Sequence, residues 1–185
     1  AVLILAAATQ AQSRHWRSSE SLYRHALAVT QGNWVILTNL GIELARTGRP
    51  AQALARLDEA IQARPDFAMA HNNRGNVLAA LGRPGEALAA YRQAVALDAT
   101  NARAQYNLGV ALLGQQRWTE ATDHLRRAVE LEPAHPGAHN NLGVALAATG
   151  QLEAAAQQFR QVLRLRPGDQ QAQANLRRLA PGAAA

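Results

Sequence analysis

The chain has 185 residues, of which 48% are hydrophobic but only 4% are aromatic. The formal net charge is +6, and there is no cysteine, which excludes disulfides and thiolate metal sites. Every residue that carries the positive charge is an arginine, and the arginines are scattered along the sequence. Because nucleic-acid binding calls for clustered positive charge with stacking aromatics, we expect no nucleic-acid partner.

The chain opens with an apolar run, Ala1 to Ala8 (AVLILAAA). Eight residues are too few to span a bilayer, which needs about 20. Two interpretations stay open: the end of a membrane helix within residues 1–12, or the remainder of a signal sequence. A membrane partner is expected only in the first case. Residues 1–33 as a whole are predicted to form a degenerate N-terminal repeat.

A constant period follows. Asparagines recur every 34 residues, at Asn39, Asn73, Asn107, Asn141 and Asn175. A fixed period of this length is typical of a stacked repeat array. It predicts four full repeats at 34–67, 68–101, 102–135 and 136–169, then a polar capping helix and tail at 170–185.

The first helix of each repeat carries a glycine column, at Gly41, Gly75, Gly109 and Gly143. Glycine inside a helix costs about 1 kcal/mol relative to alanine, so we predict that two helix backbones pass closely there. A turn glycine follows at Gly48, Gly82 and Gly150, but Gln116 interrupts that column. The turn at Gln116 is expected to be strained or differently closed.

The second helix carries a repeating small–large–small pattern, and its large members are Leu57, Tyr91, Leu125 and Phe159. Residues at offsets 0, 4 and 7 share one face of a helix, so this face is predicted to pack. Pro65, Pro133 and Pro167 end the helix, and Ala99 is the exception in that column.

These columns resemble the tetratricopeptide repeat (TPR) family over residues 16–180. The resemblance implies an all-α fold, a right-handed α-α superhelix of antiparallel helix pairs. It also implies that the first helices line a concave groove. A binding scaffold for protein or peptide segments is the function it implies.

The asparagine column is expected to face that groove. A carboxamide matches the N–H and C=O of an extended peptide, so a row of them can hold a peptide main chain. The column resembles the asparagine ladder in the TPR superhelix of O-linked N-acetylglucosamine transferase. An alternative is that the amides only tie neighbouring repeats together. The predicted peptide-binding residues are Asn39, Asn73, Asn107, Asn141 and Asn175, with their neighbours Asn72, Asn76, Asn140, Arg46, Arg103 and Tyr106.

No catalytic constellation, cofactor motif or metal site is predicted, so we expect this chain itself not to be an enzyme. His135 and His139 are four residues apart, but Pro136 and Gly137 between them argue against a metal pair. His71 and His139 share a packing column and are expected to be hydrogen-bonded core histidines.

Two rival hypotheses accompany the scaffold. Residues 16–23 (WRSSESLY) are similar to the join between membrane helices and repeats in polytopic glycosyltransferase-like proteins of the transmembrane-and-TPR type. The chain would then be an accessory region that presents substrate or recruits partners. The third hypothesis is self-association through Ala1–Ala8. The oligomeric state and the compartment, cytoplasmic or membrane-tethered, are left open.

Overall fold

The computed structural model describes residues 19–30 and 33–179. Every secondary-structure element in these residues is an α-helix. The helices are α1 (Ser19–Val29), α2 (Trp34–Arg46), α3 (Pro50–Ala63), α4 (Ala68–Ala80), α5 (Pro84–Leu97), α6 (Ala102–Gly114), α7 (Trp118–Leu131), α8 (Pro136–Ala148), α9 (Leu152–Leu165) and α10 (Gln170–Leu179). The predicted all-α class is confirmed.

The predictions for residues 1–12 and for Trp16 lie outside the described residues, as does the tail from Ala180. Within the part that the structure describes, no helix is both long and apolar enough to span a bilayer.

The chain divides into two compact units, residues 1–97 and 98–185. In unit 1, α2 packs against α1, α3 and α4, and α4 packs against α3 and α5. In unit 2, α8 packs against α6, α7 and α9, and α10 packs against α9. The repeat pattern itself does not predict this division, because the 34-residue period continues through it.

Four first helices begin at a side-chain cap that recurs with the same period. Asn33 and Asn101 each accept a hydrogen bond from a backbone N–H three residues on, at 3.2 and 3.0 Å. His135 Nδ1 and Asp169 Oδ1 do the same at 3.0 and 2.9 Å. Each cap satisfies one of the N–H groups that a helix start leaves unpaired. Phe67 occupies the equivalent position before α4 without a side-chain cap.

The glycine column makes room for the large side chain of the second helix. A Cβ at Gly75 would lie 2.5 Å from Tyr91 Cε1, and one at Gly143 would lie 2.6 Å from Phe159 Cε1. Gly41 and Gly109 face Leu57 and Leu125 in the same way. A side chain at any of these four positions would therefore be excluded, as predicted. The group that excludes a Cβ is mainly a side chain, and not the second backbone that the sequence suggested.

The turns between first and second helices share one conformation. Gly48, Gly82 and Gly150 have φ between 70° and 78°, and Gln116 has φ 58°. Gln116 N donates to Leu113 O at 2.9 Å, just as Gly82 N donates to Ala79 O at 3.0 Å. The turn at Gln116 is thus closed like the others, and the expectation of a different closure is wrong. The left-handed conformation costs a non-glycine residue about 1–2 kcal/mol, so this turn is strained.

A second periodic contact closes the loop before three of the first helices, α4, α6 and α8, onto the helix that follows it. His71 Nε2 lies 2.8 Å from Pro65 O, Gln105 Nε2 donates to Ala99 O at 2.9 Å, and His139 Nε2 lies 2.9 Å from Pro133 O. The other ring nitrogen of His139 lies 2.8 Å from the Gln158 carboxamide. These contacts confirm that both histidines are hydrogen-bonded. His139 is buried in the core, whereas His71 is only half-buried.

Candidate binding faces of the first helices

The first helices leave apolar side chains uncovered at regular positions. In unit 1, Val35, Ile42 and Met69 are 44%, 39% and 46% exposed, and in unit 2 Val110 is 38% exposed. Val35 and Met69 are 34 residues apart, as Asn39 and Asn73 are. We call this side of α2 and α4 the first-helix face of unit 1, and the same side of α6, α8 and α10 the first-helix face of unit 2.

The asparagine column has two members in unit 1, Asn39 and Asn73, and both are half-buried. Asn73 Nδ2 donates to Met69 O at 2.8 Å, within its own helix. The Asn39 carboxamide makes no hydrogen bond to another residue in the described part of the chain. Neither amide ties one repeat of unit 1 to the next.

A pocket of about 470 Å³ opens on the unit 1 face. Most of its wall is apolar, and Asn73 and Asn76 supply amide groups. Tyr91 Oη donates to Asn76 Oδ1 at 2.9 Å, which fixes the position of that carboxamide, and burial raises the pKa of Tyr91 to about 12. The remaining lining residues are Ile42, Ala45, Gly48, Pro50, Leu57, Val77 and Ala80. The pocket is suited to an apolar side chain whose backbone contacts an amide.

Tyr106 is the aromatic residue of the unit 2 face, and three contacts fix it. Asn141 Nδ2 donates to Tyr106 Oη at 3.2 Å. The Tyr106 ring lies against the His135 ring, with centroids 4.8 Å apart. A Cβ at Gly137 would lie 3.2 Å from Tyr106 Oη, so the small residue there leaves space for the hydroxyl.

A second amide contact on the unit 2 face joins successive first helices. Asn175 Nδ2 on α10 donates to Asn140 Oδ1 on α8 at 3.2 Å. Asn107 on α6 is half-buried, as are Asn140, Asn141 and Asn175. In unit 2 the asparagine column therefore does link repeats, which is the alternative role that the sequence left open.

The remaining predicted residues differ in their accessibility. Arg46 is exposed at the end of α2 and pairs with Glu43 at 2.6 Å, which lowers the pKa of Glu43. Arg103 is exposed near the start of α6. Asn72 is only 3% exposed, so the expectation that it lines an accessible surface is wrong.

Sequence reasoning did not predict the contacts that His135 and Gly137 make with Tyr106 on the unit 2 face. His135 serves both as the cap of α8 and as a ring neighbour of Tyr106. Its position in the cap column with Asn33 and Asn101 is the signal that identifies the first role. Gly137 stands where Val35 and Met69 stand in unit 1, and it admits the Tyr106 hydroxyl. No cluster of three metal-ligating side chains is found among the described residues.

A family model described as tetratricopeptide repeat matches residues 38–102, 79–136 and 106–170. Together these matches span more than half of the chain. The chain belongs to the tetratricopeptide repeat family. Repeats of this family form a scaffold that commonly mediates protein–protein interaction.

Solved TPR structures resemble the chain over most of its length. YrrB, described as a TPR protein with an unusual peptide-binding site, is 27% identical with a TM-score of 0.79, covering 85% of this chain and 81% of YrrB. PilF of Pseudomonas aeruginosa is 28% identical with a TM-score of 0.70, covering 79% and 67%. The first TPR of Spaghetti (RPAP3), bound to the HSP90 peptide SRMEEVD, is 26% identical with a TM-score of 0.58, covering 60% and 89%.

A curated relative is similar over a shorter stretch. Protein O-mannosyl-transferase Tmtc2 of Drosophila melanogaster is 42% identical over 65 residues. That stretch is 35% of this chain and 7% of Tmtc2, so the similarity concerns a small part of the larger protein.

Proposed function

We propose that this TPR protein is an interaction scaffold that binds an extended peptide segment along its first-helix faces. The asparagine column supplies hydrogen bonds to the peptide main chain. On the unit 1 face a bound segment is contacted by Asn39 and Asn73, with Asn76 and Arg46 around them. On the unit 2 face a bound segment is contacted by Asn107, Asn141 and Asn175, with Asn140, Arg103 and Tyr106 around them. Asn72 is left out of this set because it is buried.

The observation that carries the proposal is the alternation of amides with uncovered apolar side chains on the unit 1 face. Val35 and Ile42 flank Asn39 on α2, and Met69 precedes Asn73 on α4. An extended peptide presents polar main-chain groups and side chains in alternation along its length. The face therefore offers both kinds of contact at neighbouring positions.

The binding free energy requires both hydrogen bonds and apolar contacts. A hydrogen bond contributes about 0.5–1.5 kcal/mol net, whereas micromolar affinity needs about 8 kcal/mol. Apolar burial contributes about 25 cal/mol per Å², so the exposed valine, isoleucine and methionine side chains supply the larger share. The amides then fix the orientation and register of the peptide, with little regard to its sequence.

The inter-repeat bonds of unit 2 are compatible with this role. A carboxamide has two N–H donors and one carbonyl acceptor. Asn141 uses one N–H for Tyr106, and Asn175 uses one N–H for Asn140. The second N–H and the carbonyl of each are then available to a peptide, held in one orientation by the first bond.

The similar structures supply independent support. YrrB is described as having a peptide-binding site, and the Spaghetti domain was solved with a peptide bound. Both are more than 25% identical to this chain, with TM-scores above 0.5.

The test replaces Asn73 and Asn107 by alanine in one chain. Peptides are first selected on the wild-type protein from a random library and labelled with a fluorophore. We expect the double variant to bind them about tenfold more weakly by fluorescence anisotropy, since each lost bond contributes about 0.5–1.5 kcal/mol. The thermal midpoint is expected to stay nearly unchanged.

A matched control removes two amides from second helices, Gln62→Ala and Gln93→Ala, because both side chains are exposed. It should leave affinity and stability unaltered. A large fall in the stability of the asparagine variant, with unaltered peptide affinity, would show that the column only holds the repeats together.

A second candidate function rests on the Tmtc2 similarity. In that case the chain is an accessory TPR region of a membrane-embedded glycosyltransferase-like protein, where it presents substrate or recruits partners. Sequencing the coding region upstream of Ala1 tests this: several apolar segments of about 20 residues support it. A polar, charged stretch there contradicts it.

A further inference from the structure

The arginines of the described residues fall into two groups. Between residues 20 and 130 most of them form an ion pair with Asp or Glu, as the Arg24, Arg46, Arg49, Arg56, Arg64, Arg74, Arg83, Arg117, Arg126 and Arg127 side chains do. The arginines of α9 and α10 and of the loop between them form no ion pair with any described residue; they are Arg160, Arg164, Arg166, Arg177 and Arg178. All five are exposed.

The helices α7 and α9 show how this difference arises. Both are second helices of unit 2, both have 14 residues, and α9 begins 34 residues after α7. On α7, Arg126 lies 3.8 Å from Asp123, and Arg127 lies 3.1 Å from Glu130. Each arginine of this face is thus neutralised by an acid three residues away.

On α9 the same positions have lost both acids. Gln157 stands in the position of Asp123, and Arg164 stands in the position of Glu130. Arg160 stands in the position of Arg126, but the residue three positions before it is now an amide. Arg164 Nη1 donates to Gln161 Oε1 at 3.1 Å. A face that is electrically balanced on α7 is therefore cationic on α9.

The uncompensated arginines border a cavity. Arg160 and Arg164 are four residues apart, so they lie on one side of α9. They line a cavity of about 470 Å³ together with Gln157 and Gln161, and Val129 of α7 contributes an apolar wall. Two guanidinium groups, a row of carboxamides and an apolar wall thus meet at one place in unit 2.

We infer that the side of α9 that carries Arg160 and Arg164 binds an acidic segment of a partner protein. A guanidinium presents N–H donors in a planar fork that matches a carboxylate, so Arg160 and Arg164 each receive a Glu or Asp side chain. The Gln157 and Gln161 amides bond the intervening main chain. None of these residues belongs to the first-helix faces, so this site is additional to the proposed function.

The composition of the cavity favours a protein partner over a nucleic acid. Single-stranded nucleic acids gain much of their binding energy from bases stacked on aromatic side chains. Phe159 is the aromatic residue of α9, and it is 2% exposed with its side chain in the core. The ring that lines the cavity is His139, which is 5% exposed and pairs through its two ring nitrogens with Gln158 and Pro133, so it offers no open face on which a base can stack.

The experiment measures fluorescence anisotropy of a fluorescein-labelled, glutamate-rich peptide at low ionic strength. The variant Arg160→Gln with Arg164→Gln is compared with Arg126→Gln with Arg127→Gln. Both lower the net charge by the same amount at exposed positions, so they differ only in whether the lost arginines were already paired. We expect about tenfold weaker binding for the α9 variant and an unchanged affinity for the α7 variant.

A third variant gives α9 the acidic residue that α7 has at the equivalent position, and it removes no arginine. Gln157→Asp places a carboxylate three residues before Arg160, as Asp123 stands before Arg126, and is expected to weaken peptide binding severalfold. The Asn73→Ala and Asn107→Ala variant should bind the acidic peptide normally, which separates this site from the first-helix faces.

Three outcomes overturn the proposal. Equal loss in the α7 and α9 variants shows that binding follows net charge only. Tighter binding of an oligodeoxythymidine of equal charge assigns the face to nucleic acid. Absence of binding by the wild-type chain at low ionic strength shows that the face is only a solvated surface.

Discussion

The first-helix faces of unit 1 and unit 2 carry the same asparagine column and use it differently. In unit 2, Asn141 and Asn175 each donate to the side chain 35 residues earlier, Tyr106 and Asn140. In unit 1, the residue 35 positions before Asn73 is Thr38, which is buried and donates its own hydroxyl to Trp34 O at 2.8 Å. Asn73 bonds instead to its own helix.

The difference teaches that the neighbour decides the role of a repeated residue. A tyrosine hydroxyl or a carboxamide reaches the asparagine of the next repeat, whereas a short threonine engaged with its own backbone does not. In unit 1 the column asparagines form no bond to another repeat within the described residues, whereas in unit 2 Asn141 and Asn175 each bond to the preceding repeat.

The largest expected effect is on stability, and it concerns the packing of a first-helix glycine against a large second-helix side chain, which both units share. Gly75→Ala would place a Cβ 2.5 Å from the buried Tyr91 ring, and Gly143→Ala one 2.6 Å from the Phe159 ring. Overpacking of this kind lowers the free energy of unfolding by about 1–3 kcal/mol. Urea unfolding followed by circular dichroism should show a similar fall for both variants.

A control for these variants is Gly85→Ala in α5, where a Cβ meets nothing within 4 Å. It should not lower stability, because alanine is the better helix former. A fall with Gly75→Ala alone would contradict the view that both units are built on one packing contact.

The second effect separates the two faces directly. Asn140→Ala removes the acceptor of the Asn175 amide and is expected to lower the free energy of unfolding by about 0.5–1.5 kcal/mol. Asn39→Ala removes an amide that bonds to no described residue, so the unfolding midpoint should not change. An equal fall in the free energy of unfolding for both variants, measured by chemical denaturation, would contradict the distinction between the two units.

A third, smaller effect concerns the turns. Unit 1 has Gly48 and Gly82 in the left-handed conformation, whereas unit 2 has Gln116 in one of its turns. Gln116→Gly relieves about 1–2 kcal/mol of backbone strain but loses part of this to unfolded-chain entropy, which leaves a net gain of about 0.5–1 kcal/mol. The reverse exchange, Gly82→Gln, should lower the unfolding midpoint; a rise there would disprove the strain.

The smallest effect is a pH dependence confined to unit 1. Arg83 and Arg117 pair with Glu86 and Glu120 of their own helices, but Arg49 bonds to Glu20 of α1. Hydrogen bonds from Arg49 and Arg24 lower the pKa of Glu20 to about 2 from its ordinary 4.5. A depressed carboxyl pKa stabilises the fold above pH 4.5, and this stabilisation is lost as the pH falls to about 2.

Glu20→Gln should therefore be less stable than wild type at neutral pH, and the difference should shrink between pH 4.5 and 2. Urea unfolding at several pH values measures it, and added salt should reduce it because both side chains of the pair are partly exposed. A difference that stays constant down to pH 2 would show that the Glu20 charge does not matter.

Much of the fold followed from the sequence because the period fixes the phase of every helix. The glycine column and the small–large–small pattern predicted which side of each helix packs. The break at Gln116 predicted a turn that is either strained or differently closed, and φ 58° shows that it is the strained one. These features depend on backbone geometry, which neighbouring residues hardly change.

Side-chain roles on the surface were harder to predict. Whether an asparagine bonds to its own helix or to the next repeat depends on the reach of one particular neighbour, as Thr38 and Tyr106 show. The burial of Asn72 likewise followed only from the packing around it. The unpaired face of α9 was visible in the sequence, but only when Gln157 and Arg164 are compared with Asp123 and Glu130 position by position.

The hydrogen bond that closes the loops before α4, α6 and α8 has a consequence for how a repeat protein gains length. The acceptor at residues 65, 99 and 133 is a main-chain carbonyl, so it serves equally when proline is replaced by alanine, as at Ala99. Donor and acceptor are only six residues apart. A gene duplication of one 34-residue segment therefore copies both the donor and the acceptor of this hydrogen bond, so an added repeat brings its own loop closure.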